Sequence, residues 1–216
     1  MTTYSIKEIF YTLQGEGAQA GSPAVFCRFA GCNLWSGLEK DRAKAQCQFC
    51  DTDFVKTDGL NGGQFTSALD LAEKCRAIWG GDTSENLLIV LTGGEPMLQI
   101  DLLLINALKK QGFRIAIESN GSLVVPREID WICISPKADV PLLQTSGDEL
   151  KLVYPQTENT PQQFEKLDFS HFFLQPLDQQ LDNDKQQGNI KDAIEYCLKH
   201  PKWKLSLQTH KITGIP

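Results

Sequence analysis

The sequence predicts an α/β fold, an incomplete (β/α) barrel of about six parallel strands in a single domain. Three observations point there. Short, mainly apolar runs at 87–92, 113–118, 131–135, 149–154, 172–175 and 203–208 have the length of strands covered on both faces. Amphipathic stretches at 67–79, 97–111, 160–167 and 190–200 alternate with them, the order of a parallel sheet dressed by helices. Polar clusters stand where the runs end, and parallel α/β folds carry their sites at those carboxyl ends. No G-x-G-x-x-G fingerprint is present, so an incomplete barrel is at least as good a reading as a doubly wound sheet.

At 216 residues and 41% hydrophobic content the chain is long enough for one domain with a full core, and two would be cramped. A net charge of -6, from 21 basic and 27 acidic residues, argues against a nucleic-acid groove and for a small-molecule or protein partner. No apolar run approaches a membrane span, and the start of the chain lacks a basic stretch followed by an apolar core. The expectation is a cytoplasmic protein with neither a membrane nor a nucleic-acid partner. Seven cysteines in such a compartment disfavour a disulfide framework, which favours metal or cluster binding.

In chain order, residues 4–14 hold an alternating patch that meets Gly15-Glu16-Gly17, a turn whose backbone can approach a ligand closely. An ordinary hairpin-like turn with an exposed Glu fits equally well. Residues 23–30 read as a strand with Arg28 among Phe26, Cys27 and Phe29. A guanidinium stays charged, so Arg28 must meet an anion, in a core ion pair or as a clamp for a substrate carboxylate. Residues 33–46 read as an insertion with Leu34, Trp35 and Leu38 and a charged tail that forms a short solvated helix. Residues 56–65, rich in Gly, Asn and Asp, read as a loop. The helix at 67–79 places Leu69, Ala72, Ile78 and Trp79 on one period with Thr66 or Ser67 as cap, and Cys75 reads as a small apolar packer. A further short helix is expected at 126–129.

The strand-end clusters are Thr92-Gly93-Gly94-Glu95-Pro96, Glu118-Ser119-Asn120-Gly121, Ser135-Pro136-Lys137, Gln175-Pro176-Leu177-Asp178 and Thr209-His210-Lys211. Any one of them is ordinary loop polarity; five together read as a ligand-lined mouth.

The sulfur chemistry sits earlier. Cys32, Cys47 and Cys50 stand in front of Asp51-Thr52-Asp53. A structural zinc site is nearly always closed by four ligands, whereas an iron-sulfur cluster held by three cysteines leaves one iron open to a small molecule. No fourth Cys or His is near in sequence; Cys27 and Cys75 are the closest, and Cys27 would point into a core. Cys47 and Cys50 alone would also pass for a chance or redox pair.

These motifs carry a resemblance. Thr12-Leu13-Gln14-Gly15-Glu16-Gly17, the phrase from Phe26 to Trp35, Cys47-Gln48-Phe49-Cys50-Asp51-Thr52-Asp53, Thr92 to Pro96, Ser135 to Lys137, and Gln208-Thr209-His210-Lys211 with a terminal Ile215-Pro216 span the chain. It resembles the radical S-adenosylmethionine enzymes and, within them, the family that makes 7-carboxy-7-deazaguanine in the queuosine pathway. The wider superfamily has a short spacing between its first two cysteines, whereas fourteen residues intervene here, as in a subset of that family.

The resemblance implies a lyase that converts 6-carboxytetrahydropterin to 7-carboxy-7-deazaguanine with loss of ammonia. It implies a 4Fe-4S cluster on Cys32, Cys47 and Cys50. S-adenosylmethionine would meet Phe49, Cys50, Asp51, Gly94, Glu95, Ser135, Pro136, Lys137, Gln175, Pro176, Leu177 and Asp178, and magnesium would meet Thr52. The pterin would meet Leu13, Gln14, Gly15, Glu16, Arg28, Thr92, His210 and the carboxylate of Pro216, with Glu118 a weaker candidate. An electron donor such as flavodoxin and a homodimer are also implied. Without the resemblance, 51–53 reads as a cap or turn and His210 as a surface histidine. Two alternatives stay open: a radical enzyme on another substrate, such as a glycyl-radical activase, and a zinc-binding interaction module.

Overall fold

The structure is a computed structural model that describes residues 3–81, 85–178 and 182–216. Its strands are β1 (Tyr4–Leu13), β2 (Pro23–Phe29), β3 (Gly63–Phe65), β4 (Leu88–Gly93), β5 (Arg114–Ser119), β6 (Trp131–Ile134), β7 (Ser146–Tyr154), β8 (Asp168–Pro176) and β9 (Trp203–Leu205). Among the described residues they form one sheet in the order β3-β1-β2-β4-β5-β6-β7-β8-β9. From β2 to β9 the neighbours run parallel, whereas β1 pairs antiparallel with both β2 and β3. The fold is a single-domain α/β fold with a largely parallel, mixed sheet. Seven strands are parallel against about six expected, and β3 lies in a stretch expected to be loop, because three residues are too few to show a period.

The two faces of the sheet differ as side-chain alternation dictates. One face carries Val25, Cys27 and Phe29 of β2, Ile89 and Leu91 of β4, Ile115 and Ile117 of β5 and Leu150 and Leu152 of β7, all buried in the main core with Leu71, Ala72 and Cys75 of α1 (Ala68–Ile78) and Leu104, Ile105 and Leu108 of α2 (Leu102–Lys110). Cys27 and Cys75 are therefore core packers, as the sequence led us to expect. The other face changes along each strand. It is apolar near the amino ends, at Ala24, Leu88, Val90 and Ala116. It turns polar near the carboxyl ends, at Arg28, Thr92, Glu118, Lys151 and Gln175.

The sheet curls. Glu16, just past β1, contacts Lys151 of β7, although β2, β4, β5 and β6 lie between those strands. A flat sheet would set β1 and β7 about 24 Å apart at about 4.8 Å per strand, too far for two side chains to span. The curl does not close, since β3 and β9 remain its two edges.

The helices differ in extent from the sequence reading, most of them shorter and the last long one longer. Ser67 caps α1 by accepting from the Asp70 N–H, as expected. The expected helix at 97–111 splits into a 3-10 turn, Pro96–Leu98, and α2, because Asp101 caps a new start by accepting from the Leu104 N–H. Residues 160–167 hold only the 3-10 turn Pro161–Gln163, and 126–129 form a single turn rather than a helix. The helix expected at 190–200 begins earlier, as α3 (Asn183–Lys199) capped by Asp182. The last strand stops at Leu205, and a short helix, α4 (Thr209–Thr213), follows it. The tail of 33–46 forms the expected short solvated turn, a 3-10 helix at Glu39–Lys44.

Candidate active site

The polar carboxyl ends surround a cavity of about 430 Å³, within the usual range of small-molecule sites. Phe10 and Phe26 line it and stack with ring centroids 5.5 Å apart. Of the residues that the resemblance assigns to cluster, S-adenosylmethionine, magnesium or pterin, all line this cavity except Glu95 and Pro136.

Cys32, Cys47 and Cys50 reach it from the loop that follows β2. Burial pushes the Cys32 thiol up, against a hydrogen bond from the Leu34 N–H at 3.4 Å. Cys47 and Cys50 share a hydrogen bond, which raises the Cys47 thiol and lowers Cys50 to about 6. The other four cysteines are elsewhere: Cys27 and Cys75 in the core, Cys133 beneath Glu149, and Cys197 on α3. Among the described residues no three His, Cys, Asp or Glu side chains gather closely enough to hold a single metal ion. A set of three cavity thiols without a fourth suits a cluster bound at three irons and does not suit a closed zinc site.

The Gly93-Gly94-Glu95-Pro96 turn packs directly on the loop that carries Cys32. Gly93 has φ +139°, and a Cβ there would stand 2.2 Å from the Phe29 carbonyl oxygen; one on Gly94 would stand 2.1 Å from that of Gly31. Glycine is thus needed for this contact, irrespective of any ligand. The loop is pinned by the Glu95 N–H, which donates to Gly31 O at 2.9 Å. The Glu95 side chain is fully buried and turned away from the cavity. Its carboxylate accepts from the Met97 N–H (3.0 Å), Ser119 Oγ (2.9 Å) and the Asn120 N–H (2.8 Å). Pro136 is occupied as well, its carbonyl accepting from Asn159 Nδ2 at 3.1 Å. Its neighbour Lys137 does face the cavity, with Nζ 2.8 Å from Ser135 Oγ.

A charge cluster that the sequence did not reveal lies opposite. Lys151 Nζ contacts Glu16 Oε2 at 2.7 Å and Glu118 Oε2 at 2.9 Å, with 5% of its side chain exposed. Gln175 and Gln208 donate to Glu16 Oε1 at 3.2 and 3.0 Å, and Gln14 donates to Glu118 Oε1 at 3.3 Å. Burial alone would raise the Glu16 carboxyl, but the Lys151 charge and the hydrogen bonds from Lys151 and Gln208 hold it down at about 2. The loop after β1 is fixed here too: the Gly17 N–H donates to Ser206 Oγ and the Ala18 N–H to Glu149 Oε2, both at 2.9 Å. A signal was present, since Glu149 and Lys151 fall two apart in an otherwise apolar strand and so share a face.

Arg28 resolves both ways. Its Nε donates to Glu8 Oε1 at 2.7 Å, across the β1–β2 pair, and the residue still lines the cavity beside Thr92, its neighbour in register on β4. The segment after β9 folds over the mouth. Thr209 donates through N–H and Oγ1 to Gly15 O at 3.0 and 2.9 Å, bringing the His210 ring against Gly15. Burial lowers His210 despite the nearby Glu16 carboxylate. Lys211 contacts Asp178 and, at 2.5 Å, Asp51 Oδ2, while Thr12 Oγ1 lies 3.3 Å from Pro216 O. Lys7 contacts Asp53 at 2.8 Å. Of the Asp-Thr-Asp run, both carboxylates are therefore held by lysines and Thr52 is not.

No protein-family model matches the chain. It is 58% identical over 214 residues to the 7-carboxy-7-deazaguanine synthase of Caulobacter vibrioides, covering 99% of this chain and 100% of the relative. It is 57% identical to the synthase of the same name from Burkholderia multivorans, over 99% and 100% of the two chains. The crystal structure of QueE from Escherichia coli superposes with a TM-score of 0.67 at 27% identity, covering 95% of this chain and 93% of that one. On these similarities, which run the length of the polypeptide, the chain belongs to the 7-carboxy-7-deazaguanine synthase family.

Proposed function

We propose that the chain is a radical S-adenosylmethionine lyase that converts 6-carboxytetrahydropterin to 7-carboxy-7-deazaguanine with loss of ammonia, a step of queuosine biosynthesis. One observation carries the reading: Cys32, Cys47 and Cys50, alone among the seven cysteines, line the same cavity as the Glu16–Lys151–Glu118 cluster. Cys32, Cys47 and Cys50 would hold a 4Fe-4S cluster with a position left for S-adenosylmethionine. When bound, this pair would supply one-electron radical chemistry to the pterin.

The chain's own residues bind, orient and enclose. Phe49, Cys50, Asp51, Gly94, Ser135, Lys137 and 175–178 are assigned to S-adenosylmethionine, with Glu95 and Pro136 shaping two of those turns rather than presenting side chains to it. Glu16 and Glu118, each paired with Lys151, accept from the N–H groups of the pterin ring. Arg28 meets the pterin carboxylate. Leu13, Gln14, Gly15, Thr92, His210 and Pro216 complete the pocket, and α4 over the mouth excludes water. Thr52 is the magnesium position; the capture of Asp51 and Asp53 by lysines supports an oxygen from Thr52 over either carboxylate.

We read the curled sheet as an incomplete barrel and residues 33–46 as an insertion inside the cluster-binding loop. A flavodoxin-like electron donor, a homodimer and a cytoplasmic location belong to the same proposal. Among the described residues no helix is long and apolar enough to cross a membrane. The test is anaerobic turnover of reconstituted protein with S-adenosylmethionine, dithionite, magnesium and the pterin. Formation of the deazaguanine is expected; iron-loaded protein that leaves the pterin unchanged would overturn the substrate assignment.

A further inference from the structure

Arg42 belongs to none of the strand-end clusters, yet it is bound to the turn that carries two of the three thiols. Its Nη1 donates to the carbonyl oxygens of Gln48 at 2.8 Å and Cys50 at 3.0 Å. Its Nε is held by the Glu39 carboxylate at 2.8 and 2.9 Å, and its guanidinium lies 4.1 Å from the centre of the Trp35 ring. Trp35 is itself fixed: it is buried, donates Nε1 to Leu38 O at 3.2 Å and meets Phe54 edge-on at 5.6 Å. The Gln46 N–H donates to Leu34 O at 3.1 Å and closes the base of the loop. A planar fork of five donors can serve two carbonyls, a carboxylate and an aromatic face at once, whereas an ammonium cannot.

We infer that Arg42 is a positioning residue for the Cys47–Cys50 turn and that 33–46 is a brace fixing that turn in the apoprotein. What the turn holds rests on the proposed function; the brace does not. Two anchored carbonyls, one on either side of Phe49, restrict the backbone from which Cys47 and Cys50 project. A turn already ordered needs no ordering when it takes up its ligand, and releases it more slowly.

The test compares the parent with Arg42→Gln, Arg42→Lys and, as control, Lys44→Gln at an exposed site on the same 3-10 helix. In the apoprotein, backbone hydrogen exchange at 46–52 is expected to be roughly tenfold faster in Arg42→Gln, since charge-assisted hydrogen bonds are lost. Arg42→Lys is expected to fall between, Lys44→Gln to match the parent, and the melting temperatures of all four to lie within about 5 °C of one another. After anaerobic reconstitution, loss of iron to a chelator is expected to quicken in the same order. Parent-like exchange or parent-like iron retention in Arg42→Gln overturns the inference, as does a general rise in exchange with a lowered melting temperature. If even the parent takes up no iron, the proposed function fails instead, and the exchange result alone decides the brace.

Discussion

Lys151 Nζ lies 2.7 Å from Glu16 Oε2, joining β7 to the loop after β1 across four intervening strands. With Glu118 on its other side, the ammonium is the shared counterion of two carboxylates that would otherwise face each other in a half-buried cavity. Removing one partner of a buried pair leaves an uncompensated charge, at a cost of about 3–5 kcal/mol. Lys151→Met should therefore lose about that much stability at pH 7 in urea unfolding. The deficit should shrink on acidification, because the Glu16 carboxylate, once freed of Lys151, takes up a proton more readily than in the parent. A loss under about 1 kcal/mol would place the pair in the class of solvent-screened contacts.

The same pair fixes a pH dependence. The folded Glu16 carboxyl is held at about 2 against an ordinary 4.5, so the unfolded chain binds the proton first as pH falls. The stability Glu16 contributes is then fully present above about pH 4.5 and is lost as the pH drops toward 2. The stability difference between parent and Glu16→Gln should be flat from pH 5 to 7 and decline below that, measured by denaturant melts at a series of pH values.

Much of the site could be read from the sequence, and the failures have physical reasons. Motifs confined to turns, such as Gly15-Glu16, Phe49 to Asp53 and Gln175 to Asp178, were legible because turn residues declare themselves locally, and all of these residues line the cavity. Lys151 and Lys7 were not. Each is a charged residue whose partner lies far away in sequence, so its role exists only once the sheet curls. Glu95 shows what a motif does not declare: its carboxylate makes three internal hydrogen bonds, which leaves only its backbone for a ligand. The turns at 126–129 and 161–163 were read as helices because apolar spacing cannot tell one turn from three.

Gly94 and Gly112 separate two uses of glycine. A Cβ on Gly94 would strike the Gly31 backbone and approach Cys32 Cβ to 2.8 Å, so Gly94→Ala must displace the first thiolate. Gly112 has φ +88° but nothing within 4 Å, so Gly112→Ala should cost only about 1–2 kcal/mol of backbone strain. Iron content after reconstitution should collapse in the first variant and match the parent in the second.

The cysteines divide in the same way. Cys50 lines the cavity, whereas Cys75 is fully buried against the sheet. Cys50→Ala should abolish both iron binding and turnover, and Cys75→Ala should leave both largely intact. Equal loss in the two would mean that thiols outside the cavity are ligands.

The most direct measurement is metal and sulfide analysis of anaerobically reconstituted protein, together with the EPR spectrum of its reduced form before and after addition of S-adenosylmethionine. Three cavity thiols with an open fourth position predict about four iron and four sulfide per chain and a spectrum that changes when S-adenosylmethionine binds. Colourless protein carrying stoichiometric zinc, or a cluster whose spectrum ignores S-adenosylmethionine, would contradict the account.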